Sequence, residues 1–385
     1  MSQPLNLLLK IAVFVTGLSA FFQVYSVQAI LPLLVWDLNA SEVQAGMAVG
    51  ATVLGVALIS PFIGMLSDAV GRKGLIIGSL LFLALPTALI SGVTTIDQML
   101  LYRFLQGLAI PGITVVLIAY VGEEFGGKAM TQLMSLYVSG TVSGGFLGRF
   151  LLGHLSELTG WRTAFYIMAA VCVACALFVA NQLPASQNFV AKPHIGDALR
   201  TLKKHLHNRQ LLAACALGAC VLWSLVGCFT YINLYLADEP YRLNSGSLAN
   251  IFSIYLIGMV ITPLSARLIS RFGSTRAVMV AVGLSMTGVV ATLFSPLPVI
   301  VAALTIMSSG VFITQTATIS YIAVNVKEGR SLASGLYYFG YYGGGTIGAW
   351  LCGLAYAQAG WQGVVWLLLA VQVCAILIAK FGMDK

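Results

Sequence analysis

Two arginines sit deep inside apolar stretches of this sequence: Arg103 in Leu101-Tyr-Arg103-Phe-Leu-Gln106-Gly107, and Arg149 at the end of Gly140-Thr-Val-Ser-Gly144-Gly145-Phe-Leu-Gly148-Arg149. A guanidinium stays charged and presents a fork of donors that can grip a carboxylate or phosphate through two parallel hydrogen bonds. At 1.5 Å per residue, Arg103 lies roughly 10 Å along a helix starting near Ile96, too deep for easy solvation. Left unpaired, a central charge costs roughly 2.5–3.5 kcal/mol even on lenient insertion scales. The candidates for compensation are backbone carbonyls, snorkelling toward an interface, a helix-end acid such as Asp37, or an anionic group on a ligand. No acid is available beside either arginine, because all twelve carboxylates fall at the ends of apolar runs. A buried Asp or Glu with a raised pKa is a common proton carrier within apolar segments. Here any bound proton is left to a helix-end carboxylate or His154, or none binds in the core at all.

The remaining reactive residues point away from catalysis. The seven cysteines lie in apolar segments with no partner at metal-ligand spacing, and no nucleophile–base pair is apparent. The expectation is a protein that is not an enzyme and has no metal or cofactor. A net charge of +8 could suggest nucleic acid, but no basic patch interleaved with aromatics occurs outside the connecting loops, and no nucleic-acid partner is expected.

What must position the arginines is a set of membrane helices. Of 385 residues, 59% are hydrophobic and only 8% charged, against about a quarter charged in soluble domains. The apolar residues come in runs of about 20, long enough to cross a hydrocarbon core. The first run is too long for a signal-peptide core and lacks a small-residue cleavage site, so it reads as a spanning helix. Twelve spans are predicted, near residues 8–35, 42–66, 73–93, 96–122, 130–154, 162–182, 209–237, 245–269, 275–294, 297–322, 330–356 and 361–381. With both termini in the cytoplasm, sixteen of the twenty Lys and Arg fall at cytoplasmic ends, as the positive-inside rule requires. The solvent is a lipid bilayer, that of a bacterial-type inner membrane.

The spans divide into an N-terminal six-helix bundle (1–182), a cytoplasmic linker (183–208) and a C-terminal six-helix bundle (209–385). Residues 195–206 of the linker read as a basic amphipathic helix lying on the inner leaflet. The halves repeat: Tyr137, Gly140, Gly144, Gly145, Gly148, Gly153, Gly160 and Trp161 recur 200 positions later as Tyr337, Gly340, Gly344, Gly345, Gly348, Gly353, Gly360 and Trp361. A second register pairs Pro61, Leu66 and Gly71 with Pro263, Leu268 and Gly273. Two halves in the same orientation imply a pseudo-two-fold axis along the membrane normal, with a solute site between them.

Between the second and third spans, Gly64-Met-Leu-Ser-Asp68-Ala-Val-Gly71-Arg72-Lys73 resembles the loop motif of the major facilitator superfamily. Gly64 would allow close helix packing, Gly71 a tight turn, and Asp68 and Arg72 a conformational latch built on a helix terminus and carboxylate or carbonyl partners. In the second half Ser270 and Ser274 replace Asp68 and Arg72, which weakens any matching latch. The Arg103–Gln106–Gly107 stretch resembles the same family's fourth-helix motif. The glycine-rich fifth span resembles its exporter motif, with Gly145 in place of proline and Arg149 in place of the last glycine. That segment is similar to the branch of bacterial arabinose- and drug-efflux permeases.

The resemblance implies an all-α major facilitator fold whose first, fourth, seventh and tenth spans face a central cavity. They would offer Gln23, Gln28, Arg103, Gln106, Trp223, Tyr231, Asn233, Thr314, Gln315 and Thr318, with Arg149 from the fifth span. The eleventh adds the run Tyr337, Tyr338, Tyr341 and Tyr342. Amides and aromatics of this kind suit a ligand of mixed polarity. The expected function is secondary active transport of a small organic solute by alternating access, as an efflux permease acting as a monomer, with a proton as candidate coupling ion. The alternative is an importer or exchanger of an organic anion that uses Arg103 and Arg149. A channel or a membrane-embedded enzyme is disfavoured, since the sequence has neither a selectivity-filter pattern nor a catalytic constellation.

Overall fold

The structure is a computed structural model and describes residues 6–187, 202–326 and 330–383. The chain runs back and forth as helices, with no strand among the described residues. Ten helices are long and apolar enough to cross a membrane by length and composition. One of these, Arg330–Ile378, holds two helices that meet at non-helical Ala359 and Gly360. Gly127–Thr159 falls outside the ten, because glycines, hydroxyls, Arg149 and His154 dilute its apolar content.

The spans are α1 (7–37), α2 (Glu42–Val70), α3 (Arg72–Ile90), α4 (Ile96–Glu124), α5 (Gly127–Thr159), α6 (Trp161–Gln182), α7 (Arg209–Ala237), α8 (Ser245–Phe272), α9 (Ser274–Ala291), α10 (Leu297–Asn325), α11 (330–358) and α12 (361–378). Each lies within a few residues of the sequence reading. The linker helix expected over 195–206 falls outside the described residues as far as 201, and 202–206 are helical. Polar caps start several spans. Ser41 and Gln44 form a reciprocal capping box on α2, and Thr95, Asn208 and Asn244 accept from first-turn amides of α4, α7 and α8.

Glycine sets the closest packing. A Cβ at Gly140, Gly144 or Gly148 of α5 would run into the backbone of Phe14, Leu18 or Phe22 on α1. At Gly340, Gly344 and Gly348 of α11 it would meet Cys215, Ala219 and Trp223 on α7. Small residues four apart let two helix backbones approach where lipid offers no hydrophobic drive for association. The sequence repeat is therefore a repeat of helix pairs, α1·α5 and α7·α11. Positive φ angles recur in the same registers, at Gly71 (94°) with Gly273 (79°) and at Gly160 (81°) with Gly360 (57°). A side chain with a Cβ would be strained in each of these turns.

Two spans are interrupted. In α1, Leu7–Val24 gives way to a 3-10 turn at Ser26–Ile30 before Leu31–Asp37 resumes, with Pro32 in the first turn of the new segment. Proline supplies no amide to continue the ladder. In α8, Phe252–Leu256 is 3-10 between Ser245–Ile251 and Ile257–Phe272. Mid-helix 3-10 stretches mark strain or hinges. The sequence reading treated both spans as continuous, since their hydropathy does not change at the breaks.

Candidate functional site

The hydrogen bonds described between α1–α6 and α7–α12 lie on one side of the membrane's middle. They are Gln28 to Thr230 (3.1 Å), Thr346 to the Gly50 carbonyl (3.3 Å), His154 with Asn250 (3.0 Å) and Asn244 to Glu157 (2.7 Å). Glycines allow the contact there: Gly153 is pressed against Ser245 and Ala249, Gly46 against Tyr231, and Gly50 against Ala349. This is the sealed end. Arg72, Lys203 and Arg271 mark the opposite, basic end, toward which a cavity of about 330 Å³ extends along α4, α5, α10 and α11 through Ile118, Val138, Ile319 and Tyr338.

Arg149 lies at the blind end of the cavity, ten residues from the sealed end of α5 and only 1% exposed. Its Nε donates to Gln28 Oε1 at 2.8 Å and its Nη1 to the Gly145 carbonyl at 2.5 Å. Its guanidinium carbon stands 4.7 Å from the ring centre of Tyr25, 4.7 Å from Phe252 and 4.4 Å from Tyr255. Each ring attracts a cation through its quadrupole, more strongly when water is excluded. Tyr25 borders the break in α1, while Phe252 and Tyr255 belong to the break in α8. The two interruptions thus bring aromatic faces from both sides onto one cation.

Arg103 is resolved differently. It is fully buried, and it donates from Nε to the Ala48 carbonyl (2.9 Å), from Nη1 to the Gln23 carbonyl (2.7 Å) and Gln106 Oε1 (2.7 Å), and from Nη2 to the Val24 carbonyl (2.6 Å). Gln23 and Val24 end the first segment of α1, where last-turn carbonyls lack helical partners and carry the negative end of the helix dipole. Arg103 therefore closes the broken end of α1 and ties it to α2, while Gln106 extends the chain to Thr87 on α3 (2.7 Å). Of the compensators weighed for it, backbone carbonyls supply most of the partners.

Of the fifteen residues expected around a solute, Arg149, Gln315, Tyr338, Tyr341 and Tyr342 line the cavity. Arg103 and Gln106 lie in the network just described. Gln23 reaches Cys172 (3.4 Å), Gln28 bridges Arg149 and Thr230, and Asn233 is turned onto the Phe229 carbonyl (2.5 Å). Tyr231 donates to the Ala349 carbonyl (2.5 Å) above Gly46 and Gly353, within the seal, and Trp223 packs over Gly348. Tyr25, Tyr137 and Tyr255 join Tyr338, Tyr341 and Tyr342 in the wall. Tyr25 and Tyr255 went unforeseen, and the nearby signal is Pro32, which lacks the amide that would reach back into the α1 break.

The sequence matches the family model for the Major Facilitator Superfamily over residues 13–330. The chain belongs to the Major Facilitator Superfamily. It is similar to the inner membrane transport protein YnfM of Escherichia coli strain K12, with 29% identity over 97% of this chain and 90% of that protein. It is 30% identical to the multidrug resistance protein MdtG of Proteus mirabilis over 66% of this chain and 65% of the relative. Among solved structures, the nucleoside transporter NupG, as its D323A mutant, superposes with a TM-score of 0.79 at 15% identity, covering 98% of this chain and all of that one.

Within this superfamily fold, the loop motif behaves in part as expected. Gly71 makes the positive-φ turn, and Arg72 clamps Glu123 at the end of α4 with two bonds, 3.0 and 2.6 Å, besides donating to Ser67. That clamp joins α3 to α4. Gly64 departs from expectation: among the described residues nothing lies within 4 Å of where its Cβ would be, so close packing against them does not account for it in this conformation. It sits toward the basic end of α2, one turn beyond the contact of Pro61 with Gly335 on α11. The Asp68 side chain falls outside what the structure describes.

Proposed function

We propose that this superfamily member is a secondary transporter that exports a small organic solute across a bacterial inner membrane by alternating access, with the basic end in the cytoplasm. The two bundles, 1–182 and 209–385, rock about the cavity between them, joined by the linker 183–208, in a monomer with both termini cytoplasmic. The observation that carries this reading is a cavity walled by both sets of six spans and closed by their contacts at the opposite end. A channel would keep a continuous polar path, whereas here the path stops at the Arg149 cage. Export is supported by the glycine motif of α5 and by the similarity to a relative named for multidrug resistance. A coupling proton would bind outside the cavity, at His154 or a helix-end carboxylate, because no acid or histidine lines it among the described residues.

Spin labels test the mechanism without a known solute. Pairs placed at 157 with 244 and at 128 with 271, in the purified protein in nanodiscs, should each show a short and a long distance whose populations change in opposite directions. A single invariant distance at both ends would rule out alternating access. A label on Lys203 that reacts only from outside intact cells would overturn the assigned orientation.

A further inference from the structure

The contrast between the two arginines carries more than a transport mechanism. Arg103 shows how this fold neutralises a structural guanidinium: it is buried away from the cavity and met by carbonyls and an amide on all three nitrogens. Arg149 is equally buried but lines the cavity, and its Nη2 has no hydrogen-bond partner. The partners of its other two nitrogens are neutral, and the three rings around it hold a cation without cancelling its charge. Among the described residues it is the single charged side chain in the cavity wall, and its neutral partners leave that wall an uncompensated positive charge. Below it, Tyr338, Tyr341 and Tyr342 offer ring faces and hydroxyl donors, and Tyr338 and Tyr342 lie stacked with centroids 6.0 Å apart.

We infer that Arg149 is the anion-recognition point of the cavity, and that the solute is an aromatic or amphipathic monoanion of carboxylate geometry, selected over its neutral and cationic counterparts. The carboxylate takes the free Nη2 edge of the fork, where charge assistance makes each hydrogen bond stronger than a neutral one. The apolar body lies against the tyrosines. Tyr25, Phe252 and Tyr255 belong to or border the 3-10 interruptions rather than regular helix, so the rings can yield as the anion arrives without breaking a continuous helix. This rests on reading the cavity as the solute site, and it adds the sign of the solute's charge.

The test compares three probes of one shape on the full-length protein in detergent: 4-phenylbutyrate, 4-phenylbutanamide and 4-phenylbutylammonium, titrated by calorimetry. The carboxylate should bind about tenfold or more tighter than the amide, and the ammonium should bind weakest. Arg149→Gln should lower carboxylate affinity to that of the amide, whereas Arg149→Lys, which keeps the charge but not the fork, should preserve the order with a smaller gap. The idea is overturned if the amide or ammonium matches the carboxylate in the unaltered protein, if none of the three binds at millimolar concentration, or if the carboxylate preference survives Arg149→Gln. Should Arg149→Gln not fold, the unaltered protein and Arg149→Lys still decide. Binding is read without a membrane gradient, so selective carboxylate binding by a protein that fails the distance test would sink the carrier reading and leave this one standing.

Discussion

Arg103 and Arg149 both lie well inside their spans, in apolar surroundings and with no acid beside them in the sequence, yet the fold uses them differently. Arg103 donates to carbonyls stranded where α1 stops being α-helical, so its removal leaves the acceptors of Gln23, Val24 and Ala48 buried and unmet. Each such group costs about 1–3 kcal/mol. Arg103→Ala should therefore lower the melting temperature by several degrees while the folded fraction binds 4-phenylbutyrate with unchanged affinity. Loss of affinity at an unchanged melting temperature would instead place Arg103 at the solute. The sequence could show that both charges needed partners but not which partners, because that depends on the ending of α1 at Val24, and residues 8–35 read as one hydrophobic run. Pro32 was the available clue, and proline near the end of a span is too common to decide the matter.

At the scale of elements, the glycine registers were legible because a Cβ-free position every fourth residue has a direct steric consequence. Gly148 against Phe22 and Gly348 against Trp223 are the same contact in two bundles. Gly148→Val and Gly348→Val should each destabilise by about 1–3 kcal/mol through forced backbone separation. Gly64→Ala, with open space around it, should change stability by less than about 0.5 kcal/mol. Thermal melts of the three variants check this, and an equal loss at Gly64 would mean that it packs after all. Motif resemblance assigned Gly64 a packing role that its described neighbours do not provide. The 3-10 segments were invisible for another reason: side-chain hydropathy continues across a change in backbone hydrogen bonding. The twelve spans themselves, by contrast, follow from the lengths of the apolar runs, α5 among them despite its glycines and hydroxyls.

For the whole molecule, the duplication predicts two bundles, but only tertiary contacts reveal which end is shut. That closure combines close packing of α2 on α11 and α5 on α8, around small residues such as Gly153 and Ala249, with a few polar contacts, His154 with Asn250, Asn244 with Glu157 and Gln28 with Thr230. Interhelical hydrogen bonds in membranes average about 0.6 kcal/mol each, so the polar contacts add little resistance to opening beyond that of the packing. Fixing it should therefore abolish alternation without touching the cavity. Cysteines at Glu157 and Asn244, in a variant with the seven native cysteines replaced, can be joined by a short bifunctional reagent. A third cysteine at Gly145, protected during that step, reports access: it lines the cavity, and a Cβ there would meet nothing nearer than Arg149 Nη1 at 3.6 Å. Before cross-linking, a membrane-impermeant thiol reagent should reach it from either side of the bilayer, as the protein visits both states. After cross-linking, labelling from the sealed side should stop while labelling from the basic side continues, and cleaving the link should restore both. Persistent labelling from the sealed side would mean that the path past Arg149 opens without these helices parting.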